Sequence, residues 1–99
     1  MITGDEVIRN FHKRDSLVNS FFLKWMDKQE GEPDYQGRVL DVDAEYLHVQ
    51  YFSWLTGEGS DIGKVANMEL DHYVFFDSTV EMKSKAKHSM KEVINRYGL

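Results

Sequence analysis

Residues 46–55 read Tyr46-Leu47-His48-Val49-Gln50-Tyr51-Phe52-Ser53-Trp54-Leu55, a run dominated by β-branched, aromatic and aliphatic side chains. Asp43-Ala44-Glu45 precede it and Thr56-Gly57-Glu58-Gly59-Ser60 follow, so the run is bounded as a strand is bounded. Leu47, Val49 and Tyr51 share one face by the two-residue period, whereas Phe52 and Trp54 both fall on the other. A change of apolar side between Tyr51 and Ser53 predicts a bulge or sharp bend, because one extra residue swaps the faces of a ladder. Such a strand belongs at the bend of a small curled sheet or barrel.

The flanking segments supply partners for it. Residues 20–26 place Phe21, Leu23 and Trp25 on one two-residue face, and residues 35–42 form a second β-branched run with Gly37 marking a bulge or close approach. Asp43-Ala44-Glu45 should turn this run into the 46–56 strand as an antiparallel hairpin. Residues 27–34, with the single proline, read as a solvated loop, and residues 57–63 (GEGSDIG) as a glycine-rich turn. Further strands are expected at 64–70 and 73–76, although Met68 to Leu70 also suits a turn of helix.

Both ends read as helices. Thr3-Gly4-Asp5-Glu6 fits a capping box, with Ile2 and Val7 spaced as a hydrophobic staple, opening an amphipathic helix over about 4–14. Ser78-Thr79-Val80-Glu81 is a second such box. It opens a helix over about 79–97 in which Met82, Ala86, Met90, Val93, Ile94 and Tyr97 form one stripe and Gly98 stands at the C-cap. The order helix, five strands, helix predicts an α+β fold: a small, strongly bent antiparallel sheet or five-stranded barrel with an N-terminal and a C-terminal helix.

Residues 36–39 (QGRV), 46–58 and 74–78 resemble a family of short bacterial proteins from phage- and plasmid-rich genomes, whose patterns run WQGxV, YLVQLFSWLxGxP and WxFY. The likeness covers roughly the middle half of the chain. Tyr35 stands where that pattern has Trp, Gly59 where it has Pro, and Tyr73 near its later Trp. It implies an accessory protein of a mobile element and brings no reaction with it. In strand order the chain is also similar to small Src-homology-3 and Tudor barrels, which serve many purposes.

Size and composition narrow the function classes. A chain of 99 residues, 41% hydrophobic and 13% aromatic, is expected to be one domain with one core. There is no cysteine, which removes disulfides, thiolate metal sites and a thiol nucleophile and suits the cytoplasm. No apolar run approaches the ~20 residues that span a bilayer, and the acidic start MITGDEV is unlike a secretory signal. Residues 1–77 carry 7 Lys and Arg against 15 Asp and Glu, net −8, whereas residues 78–99 carry 5 against 2, net +3. An acidic body repels phosphate backbones, so nucleic acid is disfavoured unless the basic tail alone holds it.

Catalytic and metal patterns fail one by one. His12, His48, His72 and His88 are isolated and lack the i, i+4 spacing of a helical zinc site, and the Asp41-Val42-Asp43-Ala44-Glu45 run breaks the calcium-loop pattern at Tyr46 and Phe52. The 57–63 loop lacks a phosphate-loop ending, and no serine stands in a nucleophile elbow. No cofactor, metal or catalytic residue is therefore expected. The surplus aromatics Tyr35, Tyr46, Phe52, Trp54 and Tyr73 are candidates for an exposed groove or a self-association (homodimer) surface, against the plainer alternative that Phe52 and Trp54 pack beneath a helix. Lys83, Lys87 and Lys91 recur every four residues as a candidate anionic-partner face, or simply a solvated one. The expectation is a non-enzymatic protein-interaction module, with single-stranded nucleic-acid binding through sheet aromatics and the basic helix as its rival.

Overall fold

The computed structural model describes residues 1–26, 33–53 and 58–85, without the side chains of Lys83 and Lys85. In chain order the elements are β1 (Ile2–Thr3), α1 (Gly4–Arg9), a 3₁₀ helix (Phe11–Leu17), β2 (Phe21–Lys24), β3 (Tyr35–Val42), β4 (Tyr46–Phe52), β5 (Gly59–Ala66), a second 3₁₀ helix (Asn67–His72), β6 (Tyr73–Phe76) and α2 (Thr79–Lys85). The fold is α+β, as expected. Its sheet is not a barrel: six antiparallel strands lie in the order β1-β6-β2-β3-β4-β5, with β1 and β5 unpaired on their outer sides among the described residues.

Of the two architectures expected, an antiparallel sheet or a barrel, the barrel fails because the sheet has two cores, one on each face. On the first, Phe22, Val49 and Tyr73 pack under Val7 of α1 and Leu17 and Leu70 of the 3₁₀ helices. On the second, Leu23, Trp25, Val74 and Phe76 pack with Met82 of α2, and Phe52 joins at the margin. Leu47, Val49 and Tyr51 therefore face one core and Phe52 the other. The change of apolar side in residues 46–55 records a sheet covered on both faces, not a bend into a barrel. All four residues of β6 are buried, as a central strand requires.

Local chemistry sets the boundaries. Thr3 Oγ1 accepts from the Glu6 N–H at 3.3 Å, capping α1 as expected, while the Glu6 carboxylate takes the Thr3 hydroxyl at 3.3 Å and Lys13 Nζ at 3.2 Å. The Lys13 bond is the main reason the Glu6 carboxyl lies below its usual range. The helix expected over 4–14 stops at Arg9 because Asn10 adopts an extended conformation (φ −142°) and its side chain caps a new 3₁₀ turn through the His12 N–H at 3.2 Å. Ile2, expected as half of a staple, pairs with Phe75 as a sixth strand. The strand expected over 64–70 is displaced: β5 begins at Gly59, inside the expected glycine turn, and residues 67–72 are 3₁₀ helix. Ser78 Oγ accepts from the Glu81 N–H at 3.2 Å at the start of α2, whose expected continuation over 86–97 lies outside the described residues.

Two positions depend on backbone freedom. Asn19 has φ 69°, in the left-handed region that Asn and Gly tolerate, and this turn brings Ser20 into register so that its carbonyl accepts from the Val39 N–H at 2.8 Å. Gly37 lies beneath the Phe22 ring, where a Cβ would come within 2.8 Å of the ring and would overlap the Gln50 carbonyl. Gly37→Ala should lower unfolding stability by about 1–3 kcal/mol, and Asn19→Val by about 1–2 kcal/mol while Asn19→Gly is near neutral; urea denaturation of the three variants measures both.

Candidate functional site

The strands reach a common end where four of them present side chains side by side. Lys24 at the end of β2 is the register partner of Tyr35 at the start of β3, and Gly37 of β3 is the partner of Tyr51 near the end of β4. There an open groove of about 570 Å³ is lined by Lys24, Met26, Tyr35, Tyr51, Phe52 and Ser53, and reaches Ser60 and Asp61 at the sheet edge. A pocket of about 120 Å³ continues it past Lys24 and Met26 to Glu69 and His72.

A break in register makes the edge part of this groove. Gln50 pairs with Ile62 and Phe52 with Gly59, which leaves Ser60 and Asp61 both opposite Tyr51. The extra residue sits on β5, one strand over from the irregularity expected in residues 51–53. Ser60 Oγ donates to the Tyr51 carbonyl at 3.2 Å. A bulge re-aims side chains, and here it brings two successive residues to one groove.

The groove wall is aromatic and neutral. Tyr35 and Tyr51 rings lie 5.7 Å apart, and Tyr51 meets Phe22 edge-on at 5.8 Å. The Tyr73 and Tyr51 hydroxyls hydrogen-bond to each other, and burial is the largest reason that both are pushed above the usual tyrosine range. Both are therefore uncharged near neutrality and work as hydrogen-bonding surface, not as bases. The Lys24 ammonium stands over the Tyr35 ring at 5.4 Å and the Tyr73 ring at 5.6 Å, so positive charge marks the β2 end. Asp61, exposed on β5, marks the other end with negative charge.

The expected aromatics are dispersed. Tyr35 is 47% exposed and Met26 59%, making them the open lip of the groove. Tyr73 is 1% exposed and belongs to the first core. Phe52 packs on Phe21 with centroids 6.3 Å apart, next to the second core, and also lines the groove. Tyr46 lies under Lys64 Nζ at 5.4 Å on the sheet face away from the first core, apart from the groove. Trp54, Lys87 and Lys91 lie outside the described residues, as does the Lys83 side chain. Tyr51, Lys24, Met26 and Asp61 were not expected as site residues. Tyr51 was legible only as a strand position, and the others lie on segments whose pairing no periodicity reveals.

His48 and His72 serve local structure. His72 Nδ1 lies 2.9 Å from the Trp25 carbonyl oxygen and so carries the proton there. His48 Nε2 lies 2.6 Å from Asp43 Oδ2 at the β3–β4 turn, where Asp43 Oδ1 accepts from the Glu45 and Tyr46 N–H groups at 2.8 Å each. Arg14 Nη2 donates to the Asp43 carbonyl behind the same turn. Among the described residues no three His, Asp or Glu side chains gather as a metal site, and no helix is long and apolar enough to cross a membrane. No family model matches the chain, and neither curated proteins nor solved structures show a similar one.

The bond to His48, followed by the two backbone N–H groups, holds the Asp43 carboxyl down at about 2 from an ordinary 3.8. A depressed folded value stabilises the turn fully above the unfolded value and is lost as pH falls through the folded one. Amide exchange of Glu45 and Tyr46, followed by NMR and taken relative to the intrinsic rate at each pH, should lose protection between about pH 4 and 2; in Asp43→Asn that loss should be absent from the window.

Proposed function

We propose that this chain is a non-enzymatic protein-interaction module whose contact site is the groove at the shared ends of β2, β3, β4 and β5. The observation that carries the reading is a preformed groove with a neutral aromatic wall, an exposed Met26 and Tyr35 at its lip, and opposite charges at its two ends. Aromatic and methionine side chains contribute large contact area at small conformational cost. Their exposure at one place on a small domain favours a macromolecular partner. The paired tyrosines, held neutral chiefly by burial, favour recognition over proton transfer.

Single-stranded nucleic acid remains the rival occupant, since Tyr35 offers an open ring and Lys24 a charge beside it. The net −8 of residues 1–77 weighs against it. Capture from lysate by the intact chain, compared with a Met26→Ala/Tyr35→Ala variant of equal stability, tests the choice. Loss of a captured polypeptide in the variant is the expected result. Unchanged capture overturns the reading, and salt-sensitive retention of an oligonucleotide that disappears when Lys83, Lys87 and Lys91 become Glu replaces it with the rival.

A further inference from the structure

The outer side of β5 is an unpaired strand edge among the described residues, and its hydrogen-bonding groups can be assigned. Asp43 N–H donates to the Tyr46 carbonyl at 3.0 Å, so the polar groups of Tyr46 face β3. Alternation along β4 turns those of Leu47 and Val49 to β5, where they meet Val65 and Gly63. Ile62, Lys64 and Ala66 must then present their N–H and C=O groups outward. Ala66 bears this out: its N–H is taken by the Glu69 carboxylate at 3.2 Å, which closes that end of the edge. Ile62 and Lys64 carry the open donors and acceptors, and Ile62 is 71% exposed.

The groove and this edge are continuous, because the bulge that aims Ser60 and Asp61 into the groove immediately precedes Ile62. Resting on the interaction reading above, we infer that the partner is an extended basic peptide segment that adds a seventh strand along Ile62–Lys64 and sends a Lys or Arg side chain past Asp61 toward Tyr51. Strands lie about 4.8 Å apart, so an added strand sits roughly 10 Å from β4, a gap that a long cationic side chain and the Tyr51 ring close between them. Asp61 supplies the countercharge and the Tyr51 ring a face for the cation. Lys24, at the far end over Tyr35 and Tyr73, repels a deeper cation and confines it to the β5 half of the groove. Charge also decides between occupants. A second copy would bring another chain of net −5 to the same edge, whereas a basic segment is attracted by it. Lys64 at the edge, a usual guard against indiscriminate pairing, stands over Tyr46 on the opposite face from the groove.

Selection of a displayed library of random ten-residue peptides against the intact chain tests this docking mode. Recovered peptides should alternate Lys or Arg with β-branched or aromatic residues. A synthetic copy of the best one should protect the Ile62 and Lys64 amides from exchange and lose at least tenfold in affinity, about 1.4 kcal/mol, with Asp61→Lys. Ile62→Pro, which removes only an outward N–H and is tolerated on an edge, should weaken it as much. Absence of enrichment, enrichment of peptides without basic residues, or binding indifferent to both variants overturns the inference. If capture from lysate still depends on Met26 and Tyr35 in that event, the groove remains the contact site and only the strand-addition mode falls.

Discussion

The pairing of residues 21–24 with residues 73–76, segments about fifty positions apart in the chain, is the constraint on which the rest of the molecule depends. It places Phe22 and Leu23, neighbours in sequence and both fully buried, in two different cores. Burying one such side chain is worth roughly 1.5–3 kcal/mol, so a strand that fills both faces concentrates a large part of the driving force in four residues. Once β2 and β6 are joined, α1 and the 3₁₀ helices have one face to cover and α2 the other. The β3–β4–β5 meander extends from the β2 side, and its far strand is left as an edge.

The groove follows from the same arrangement. β2, β3, β4 and β5 run alternately up and down, so the end of β2, the start of β3, the end of β4 and the start of β5 meet at one rim. The first core stops short of that rim, where Tyr73 is buried and Tyr35 is not. The tyrosines between them are graded from core to solvent, and the hydroxyl pair at Tyr73 and Tyr51 lets a buried ring keep its polar group satisfied. Gly63 admits the Tyr51 ring from the β5 side, where a Cβ would stand 3.0 Å from it.

This glycine explains what was legible in the sequence and what was not. The 35–42 and 73–76 strands are found at their expected bounds, the second because it is an uninterrupted β-branched and aromatic run and the first because the 27–34 and 43–45 turn residues delimit it. β5 was hidden in GEGSDIG, whose glycines suggest a turn. Gly59 and Gly63 instead make room for the Gln50 and Tyr51 side chains of the neighbouring strand, a contact that no local pattern encodes. An edge strand with one buried position, Val65, also has no alternation to detect. Tyr35 and Phe52 were recognised as surplus aromatics, but only the β2–β6 pairing separates them into a groove lip and a core margin. Asp61 reached the groove through a bulge, which sequence periodicity misses by construction.

Residue-resolved amide exchange across β5 in the free protein tests the central claim most directly. Gly63 and Val65 should be strongly protected while Ile62 and Lys64 exchange close to the rate of an unstructured chain. Equal protection at all four positions would mean that the edge is already covered, and would contradict an open strand beside the groove.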